Sequence, residues 1–155
     1  MRSGIEEIFL KRRRFLALVP ATIGAGALSS VLSGCGTNTG HPIDGTVTVQ
    51  NGQALVAFSQ FPQLESVGGY VVVATSSGGT YIVIRTSATE AMTLAAVCTH
   101  AHCLVGYQAS TREIVCPCHG SVYSTSGAVV QGPAIAPLAT FAARLDATGV
   151  TITVT

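Results

Sequence analysis

The sequence predicts a small all-β domain, an antiparallel sandwich or barrel of about eight to ten short strands, after an N-terminal segment of a different kind. Three observations support this fold class. After residue 45 the apolar residues are β-branched or alternate with other residues. Glycine and serine separate these runs, as in "SSGG" at 76–79 and "DATG" at 146–149. No ten-residue stretch in this region has a convincing helical period.

Each predicted strand is a short run with the composition that a pleated, partly buried segment requires. In order, the runs are "TVTVQ" from 46, "ALVAFS" from 54, "YVVVAT" from 70, "TYIVIRT" from 80, "TLAAVC" from 93, "EIVC" from 113, "LATFAARL" from 138 and "VTITVT" from 150. The fifth and sixth runs end at Cys98 and Cys116, and "GYQASTR" lies between them as a turn. We therefore expect these two strands to form a hairpin with both cysteines at its open end.

Length and charge restrict the possible classes of protein. A chain of 155 residues has room for one domain and the segment before it. Five of its eight basic residues precede residue 15, and the chain after residue 35 has three arginines and five acidic residues. Because phosphate binding needs clustered lysine and arginine, this balance excludes nucleic acid as a partner.

Residues 11–35 have the three-part form of an export signal: a basic cluster, an uncharged run and small residues before a cysteine. The segment resembles a twin-arginine signal, with Arg12 and Arg13 as the pair, although Lys11 stands where serine or threonine is usual. The uncharged run covers residues 15–34. Twin-arginine export carries proteins that are already folded.

The end of this segment, "LSGC" at 32–35, resembles a lipobox, which predicts that Cys35 becomes the lipidated first residue of the mature chain. The alternative is that residues 15–34 remain uncut as a membrane helix, because a helix of that length reaches about 30 Å. Either anchor tethers the domain, and the positive-inside rule places it on the outer face of the cytoplasmic membrane. Residues 36–45 are expected to form a flexible linker, so that 1–35 is signal or anchor and 46–155 is the domain.

Most of the chemistry-bearing side chains are concentrated in two boxes. "CTHAHC" at 98–103 and "CPCHGS" at 116–121 hold seven of the nine cysteine and histidine residues. Such density indicates a metal site, a disulfide or both. Ligands spaced Cys-x-His and Cys-x-x-His could hold zinc tetrahedrally, so a zinc-stabilised binding module is one interpretation. The other two cysteines, Cys103 and Cys118, can form a disulfide in an exported protein.

The two boxes resemble those of Rieske iron–sulfur proteins, and with the flanking strands the resemblance spans about residues 45 to 155. This resemblance implies a Rieske-type [2Fe-2S] cluster, with two thiolates on one iron and two imidazoles on the other. Cys98 and Cys116 match the ligands of the buried iron. His100 and His119 match the ligands of the outer iron, near the surface.

The resemblance also implies roles for residues around the cluster. Cys103 and Cys118 match the disulfide of the high-potential branch of the family. Ser121 and Tyr123 match hydroxyls that hydrogen-bond a bridging sulfide and a ligand sulfur, which raises the potential by stabilising the reduced state. A loop that covers the cluster in the family corresponds to the region of Gly132 and Pro133. The alternatives are that Ser121 is a loop hydroxyl bonded to the backbone, that Tyr123 is a ring packed in the core, and that the loop is an ordinary turn.

One box departs from the pattern of quinol-oxidising members of the family. Those members usually read Cys-Thr-His-Leu-Gly-Cys, whereas this chain has Ala101 and His102 in the middle. A leucine there helps to shape the docking face, so Ala101 leaves the identity of the partner open. We expect His102 to be an exposed or hydrogen-bonded loop residue and not a ligand, because its neighbour Cys103 matches a disulfide position.

The expected function is one-electron transfer as an electron-transfer subunit, not as a stand-alone enzyme. The resemblance implies the iron–sulfur subunit of a quinol-oxidising cytochrome b complex, which passes electrons from quinol to a c-type cytochrome or an equivalent acceptor. The alternative is the small Rieske subunit of an exported molybdenum oxidoreductase that resembles arsenite oxidase. The imidazole ligands leave the cluster less negative, which raises the potential within a range of about −150 to +300 mV. Hydrogen bonds from Ser121 and Tyr123 to the cluster sulfurs would place it in the upper part of that range.

Overall fold

The computed structural model describes residues 40–154, so the predicted signal, Cys35 and residues 36–39 of the predicted linker lie outside the described residues. Within that range, the chain forms short β-strands and one 3-10 helix. No helix in this range is long and apolar enough to cross a membrane. The elements are β1 (Gly45–Val47), β2 (Val49–Gln50), β3 (Gln53–Ala57), the 3-10 helix (Pro62–Glu65), β4 (Tyr70–Thr75), β5 (Thr80–Arg85), β6 (Ala91–Ala95), β7 (Gly106–Gln108), β8 (Glu113–Val115), β9 (Val122–Ser124), β10 (Val129–Gln131), β11 (Thr140–Phe141), β12 (Ala143–Leu145) and β13 (Gly149–Thr153).

The strands form three sheets. The central sheet has the order β1-β4-β5-β6-β11, a second has the order β10-β9-β8-β7, and a third has the order β12-β13-β3-β2. Strands β1 and β4 pair in parallel, and the other pairings of named strands in the described chain are antiparallel. The predicted all-β fold with antiparallel sheets is therefore confirmed, with more and shorter strands than the sequence predicted.

The central sheet is buried on both faces, which explains its nearly continuous apolar strands. In β4, Val71 and Val73 pack into one core and Val72 packs into the other. Successive side chains of a strand point to opposite faces, so a strand covered on both sides needs apolar residues at every position. Full burial of each valine side chain stabilises the folded state by about 1.5–3 kcal/mol. The runs "YVVVAT" and "TYIVIR" have this composition.

The core shared by the central and second sheets supports the two boxes. It contains three residues from the boxes or next to them, Cys98, Cys116 and Tyr123, none of which has exposed surface. The other core, shared with the third sheet, contains none of the box residues. The rest of the first core consists of Val72, Ile82, Ile84, Leu94, Ala96, Val105, Tyr107, Ile114, Ala134 and Leu138.

The hairpin beside the boxes differs from the one that the sequence predicted. Strand β6, which leads to Cys98, lies in the central sheet, whereas β8, which leads to Cys116, pairs with β7 and β9 in the second sheet. Strand β7 (Gly106–Gln108) falls within the predicted turn. The strands β7, β9 and β10 have three residues each, too few to give a recognisable alternation in the sequence.

The described part of the predicted linker is hydrogen-bonded to the domain. The His41 amide donates to the Leu104 carbonyl at 3.0 Å, and the Tyr70 hydroxyl lies 2.9 Å from His41 Nε2. Asp44 is bonded twice to Val72, through its amide and through its carboxylate. His41 and Asp44 fall within the predicted linker of residues 36–45, and these contacts join them to the end of the first box and to β4 of the central sheet.

Candidate metal centre

The first box is a closed loop between β6 and β7. An isolated bridge between Val97 and Leu104 brings its ends together. The Cys98 amide donates to the Cys103 carbonyl at 2.9 Å, and the His102 amide donates to the Cys98 carbonyl at 3.0 Å. His102 occupies the left-handed region at φ 59°, and its side chain is exposed, as expected. Backbone hydrogen bonds thus fix the shape of the box, and the side chains that could bind a metal take no part in them.

The second box has the same construction between β8 and β9. The Gly120 amide donates to the Cys116 carbonyl at 3.0 Å, and the Cys116 amide donates to the Ser121 carbonyl at 2.8 Å. Gly120 has φ +75°, where a residue with a side chain would be strained. This glycine therefore permits the tight turn that follows His119.

A disulfide joins the two boxes. Cys103 and Cys118 are bonded, as the family resemblance implied, with their Cα atoms 6.4 Å apart. The sulfurs of Cys103, Cys116 and Cys118 lie within 4.8 Å of one another. This trio is not a set of three metal-binding thiolates, since two of its sulfurs are bonded to each other. Cys116 keeps a free thiol for a metal.

The four candidate ligands differ in burial. Cys98 and Cys116 have free thiols and no exposed surface. His100 and His119 are exposed, and their ring centroids are 4.9 Å apart with the ring planes perpendicular. Two buried thiols and two exposed imidazoles fit a cluster that binds sulfur ligands on one iron and nitrogen ligands on the other.

The two thiols differ electrostatically. Burial favours the neutral form of Cys98, but hydrogen bonds from Tyr123 and from the His100 backbone outweigh it and lower the pKa of Cys98. Burial raises the pKa of Cys116, and its hydrogen bond with Cys98 raises it further. The hydrogen bonds around Cys98 therefore favour its thiolate, the form that binds metal, more than the surroundings of Cys116 do.

Tyr123 and Thr99 form a hydroxyl pair beside the Cys98 sulfur. The Tyr123 hydroxyl lies 3.2 Å from Cys98 Sγ, 3.3 Å from the Thr99 amide nitrogen and 3.0 Å from Thr99 Oγ1. Burial raises the pKa of Tyr123, and the bond with Cys98 raises it further, so the phenol keeps its proton. Tyr123 thus lies where the resemblance expects a donor to a ligand sulfur. Thr99 was not among the predicted site residues, although its place between Cys98 and His100 could have indicated it.

Ser121 is fully buried and makes its observed contact to the loop of residues 131–136. Its hydroxyl oxygen accepts a hydrogen bond from the Ala134 amide at 3.0 Å. An accepted bond does not use the hydroxyl proton, which stays available for donation. The hydroxyl is therefore compatible with the expected donation to a cluster sulfide.

The loop of residues 131–136 is bonded to both boxes. The Thr99 hydroxyl donates to the Ala136 carbonyl at 2.7 Å, and the Gln131 side chain donates to the Gly120 carbonyl at 3.2 Å. Gly132 and Pro133 are exposed and are joined by a cis peptide bond. The loop lies where a covering loop is expected. Gln131 is a further site residue that the sequence did not indicate, since nothing local marks its contact.

Comparison with known proteins identifies the family. A sequence model of the Rieske [2Fe-2S] domain matches residues 53–142, more than half of the chain. The chain belongs to the Rieske [2Fe-2S] family. Its cofactor is a Rieske-type [2Fe-2S] cluster, and this Rieske chain presents two free thiols and two imidazoles at the joined boxes. Zinc as the resident metal is not supported.

Named relatives of this Rieske chain are subunits of one type of complex. The cytochrome b6-f complex iron-sulfur subunit of Microcystis aeruginosa is 34% identical over 144 residues, which cover 88% of this chain and 80% of that protein. Subunit 1 of the same name from Nostoc is 40% identical over 95 residues, or 59% of this chain and 52% of that protein. The chain thus spans about half the length of some of these relatives.

Two solved structures share the fold. The cyanobacterial plasma membrane Rieske protein PetC3 from Synechocystis PCC 6803 superposes with a TM-score of 0.51 and 27% identity, over 59% of this chain and 91% of that protein. The ferredoxin of carbazole 1,9a-dioxygenase from Nocardioides aromaticivorans has a TM-score of 0.54 at 19% identity. The match covers 65% of this chain and 95% of that protein. The second likeness concerns the fold alone.

Proposed function

We propose that this Rieske chain transfers single electrons as the iron–sulfur subunit of a quinol-oxidising cytochrome b complex, from quinol to a c-type cytochrome or an equivalent acceptor. The observation that carries the proposal is the depth of the four ligands, with thiols buried and imidazoles exposed. An electron must enter and leave near the surface, and the imidazole side is the one that a partner can approach. The names of the cytochrome b6-f relatives support the complex.

Four residues hold the cluster in this proposal. Cys98 and Cys116 would bind one iron of the cluster as thiolates, and His100 and His119 would bind the other through ring nitrogens. When bound, the cluster supplies a one-electron couple whose potential depends on its ligands and on hydrogen bonds to its sulfurs. Tyr123 donates to the Cys98 sulfur.

The protein also controls access to the centre. Buried apolar side chains enclose the two thiols, so water is kept from the inner ligands. The disulfide and the loop of residues 131–136 hold the two boxes in one arrangement. Such rigidity lets the centre change its charge with little rearrangement of the protein.

We further propose that the chain is exported by the twin-arginine route and is tethered on the outer face of the cytoplasmic membrane. The motif "RRRFL" at 12–16 and the cysteine at position 35 support this placement. A quinol is soluble in the lipid bilayer, so a tether keeps the electron carrier next to the membrane that holds its donor.

The test of this function uses the full chain in membranes of a host that exports it. We expect about two iron atoms per chain, no stoichiometric zinc, a Rieske EPR signal after chemical reduction, and the appearance of the same signal when quinol reduces the oxidised cluster. Cys98→Ser should remove the signal. His102→Gln, which changes an exposed histidine of the same box, should retain it. A colourless protein with one zinc, or a cluster that quinol does not reduce, contradicts the proposal.

A further inference from the structure

Thr99 lies between Cys98 and His100 in the first box, and its hydroxyl joins two other parts of the chain. Thr99 Oγ1 is 2.7 Å from the Ala136 carbonyl oxygen and 3.0 Å from the Tyr123 hydroxyl oxygen. A carbonyl oxygen can only accept a hydrogen bond, so the single proton of the Thr99 hydroxyl goes to Ala136. Toward Tyr123, the Thr99 oxygen is therefore left as an acceptor.

The Tyr123 hydroxyl has one proton and two acceptors within reach. Its oxygen accepts from the Thr99 amide, whose nitrogen is 3.3 Å away, and this bond holds the hydroxyl beside the first box. Its proton can point to Cys98 Sγ at 3.2 Å or to Thr99 Oγ1 at 3.0 Å. A hydrogen bond weakens when its donor turns away from the acceptor, so one proton cannot serve both acceptors fully. The sulfur and the Thr99 oxygen therefore compete for the Tyr123 proton.

The two acceptors respond differently to reduction. Thr99 Oγ1 donates to a carbonyl, and hydrogen bonds in a chain strengthen one another, so the fold sets its strength as an acceptor. Cys98 Sγ belongs to a fully buried residue, and added negative charge in such surroundings strengthens a hydrogen bond to the sulfur. An electron added beside this sulfur therefore shifts the competition toward Cys98.

We propose that Thr99 is a positioning residue, which holds the Tyr123 proton away from Cys98 Sγ in the oxidised protein and releases it to the sulfur on reduction. The inference rests on the proposed function, in which Cys98 is a cluster ligand. The proton stays on the Tyr123 oxygen throughout, and only the direction of its O–H bond changes. Because reduction then costs the bond to Thr99, this residue keeps the midpoint potential lower than Tyr123 alone would set it.

The test is a double-mutant cycle on the full-length chain with its cluster, and the midpoint potential is the readout. Thr99→Val keeps the β-branched shape and removes the competing acceptor, so we expect the potential to rise. The expected change is about threefold in the equilibrium constant for one-electron reduction, or about 28 mV at about 59 mV per tenfold. In a Tyr123→Phe background, Thr99→Val should leave the potential unchanged.

Two controls separate positioning of the proton from damage to the loop of residues 131–136. Thr99→Ser retains the hydroxyl and should keep the original potential. Thr86→Val removes a hydroxyl that donates to the Glu90 carbonyl, at the end of β6 opposite to Cys98, and should also leave the potential unchanged. A shift that is equal in both Tyr123 backgrounds reports a loosened loop and overturns the inference. An unchanged potential in Thr99→Val overturns it as well.

A second readout needs no substitution at Thr99. The infrared difference spectrum between oxidised and reduced protein should contain a tyrosine C–O band that moves on reduction and is absent in Tyr123→Phe. In Thr99→Val the movement should be smaller, because the phenol then bonds Cys98 in both states. A tyrosine band that does not move overturns the inference and leaves the proposed electron transfer intact. If Cys98→Ser retains the Rieske EPR signal, the ligand assignment fails, and the inference fails with it.

Discussion

Tyr123 shows how one residue can couple the core of the domain to its chemistry. Its ring is fully buried in the core shared by the central and second sheets, and its hydroxyl reaches the sulfur of Cys98. A donor to a ligand sulfur stabilises the reduced cluster more than the oxidised one, because reduction adds negative charge. The same side chain therefore contributes to packing, and we expect its hydrogen bond to raise the potential.

We expect Tyr123→Phe and Ser121→Ala each to lower the midpoint potential by about 20–60 mV. One hydrogen bond contributes about 0.5–1.5 kcal/mol, and for one electron 59 mV corresponds to about 1.4 kcal/mol. Redox titration followed by EPR measures the shift. Tyr81→Phe, in the core without the boxes, and Ser124→Ala, whose hydroxyl contacts Ser126, are the matched controls. A potential unchanged in either site variant would remove that hydroxyl from the tuning role.

At the scale of elements, the two boxes belong to different sheets and are joined across them. The first box follows β6 of the central sheet, and the second follows β8 of the second sheet. Strands in separate sheets have no ladder hydrogen bonds between them. The disulfide between Cys103 and Cys118 therefore supplies a covalent connection where the sheets do not.

Removal of this disulfide should destabilise the domain and loosen the cluster. The two cysteines are separated by 15 positions, and closing a loop of that size stabilises a protein by about 3 kcal/mol. We expect Cys103→Ala with Cys118→Ala to lose about this much in urea unfolding and to lose visible cluster absorbance faster. His102→Gln with Pro117→Ala changes the same loops and keeps the disulfide. Equal unfolding and cluster loss in both double variants would refute this role.

At the scale of the whole molecule, the ligands lie at one end of a domain whose predicted tether lies outside the described residues. The segment before β1 is bonded to Leu104, immediately after the first box. The chain therefore reaches the domain near its cluster end. In the proposed membrane arrangement, this attachment would keep the redox centre near the tether.

Lipidation at Cys35 gives a prediction at this scale. We expect Cys35→Ser to release a folded, cluster-containing domain from the membrane fraction into the soluble periplasmic fraction, because the acyl anchor is lost. Arg12→Lys with Arg13→Lys should instead leave the protein in the cytoplasm. Cell fractionation with visible absorbance measures both outcomes. If Cys35→Ser stays in the membrane, residues 15–34 are the anchor, and the lipobox interpretation is wrong.

The sequence by itself determined the fold class, the family and the candidate ligands, because the motif residues of each box lie within six positions and the chain keeps them together. Only the tertiary structure decided which residues that are distant in the sequence contact one another. Gln131 reaches Gly120 across 11 positions, Thr99 reaches Ala136 across 37, and His41 reaches Tyr70 across 29. Such contacts depend on how the sheets pack and on which short strands pair, and no local pattern in the sequence encodes either.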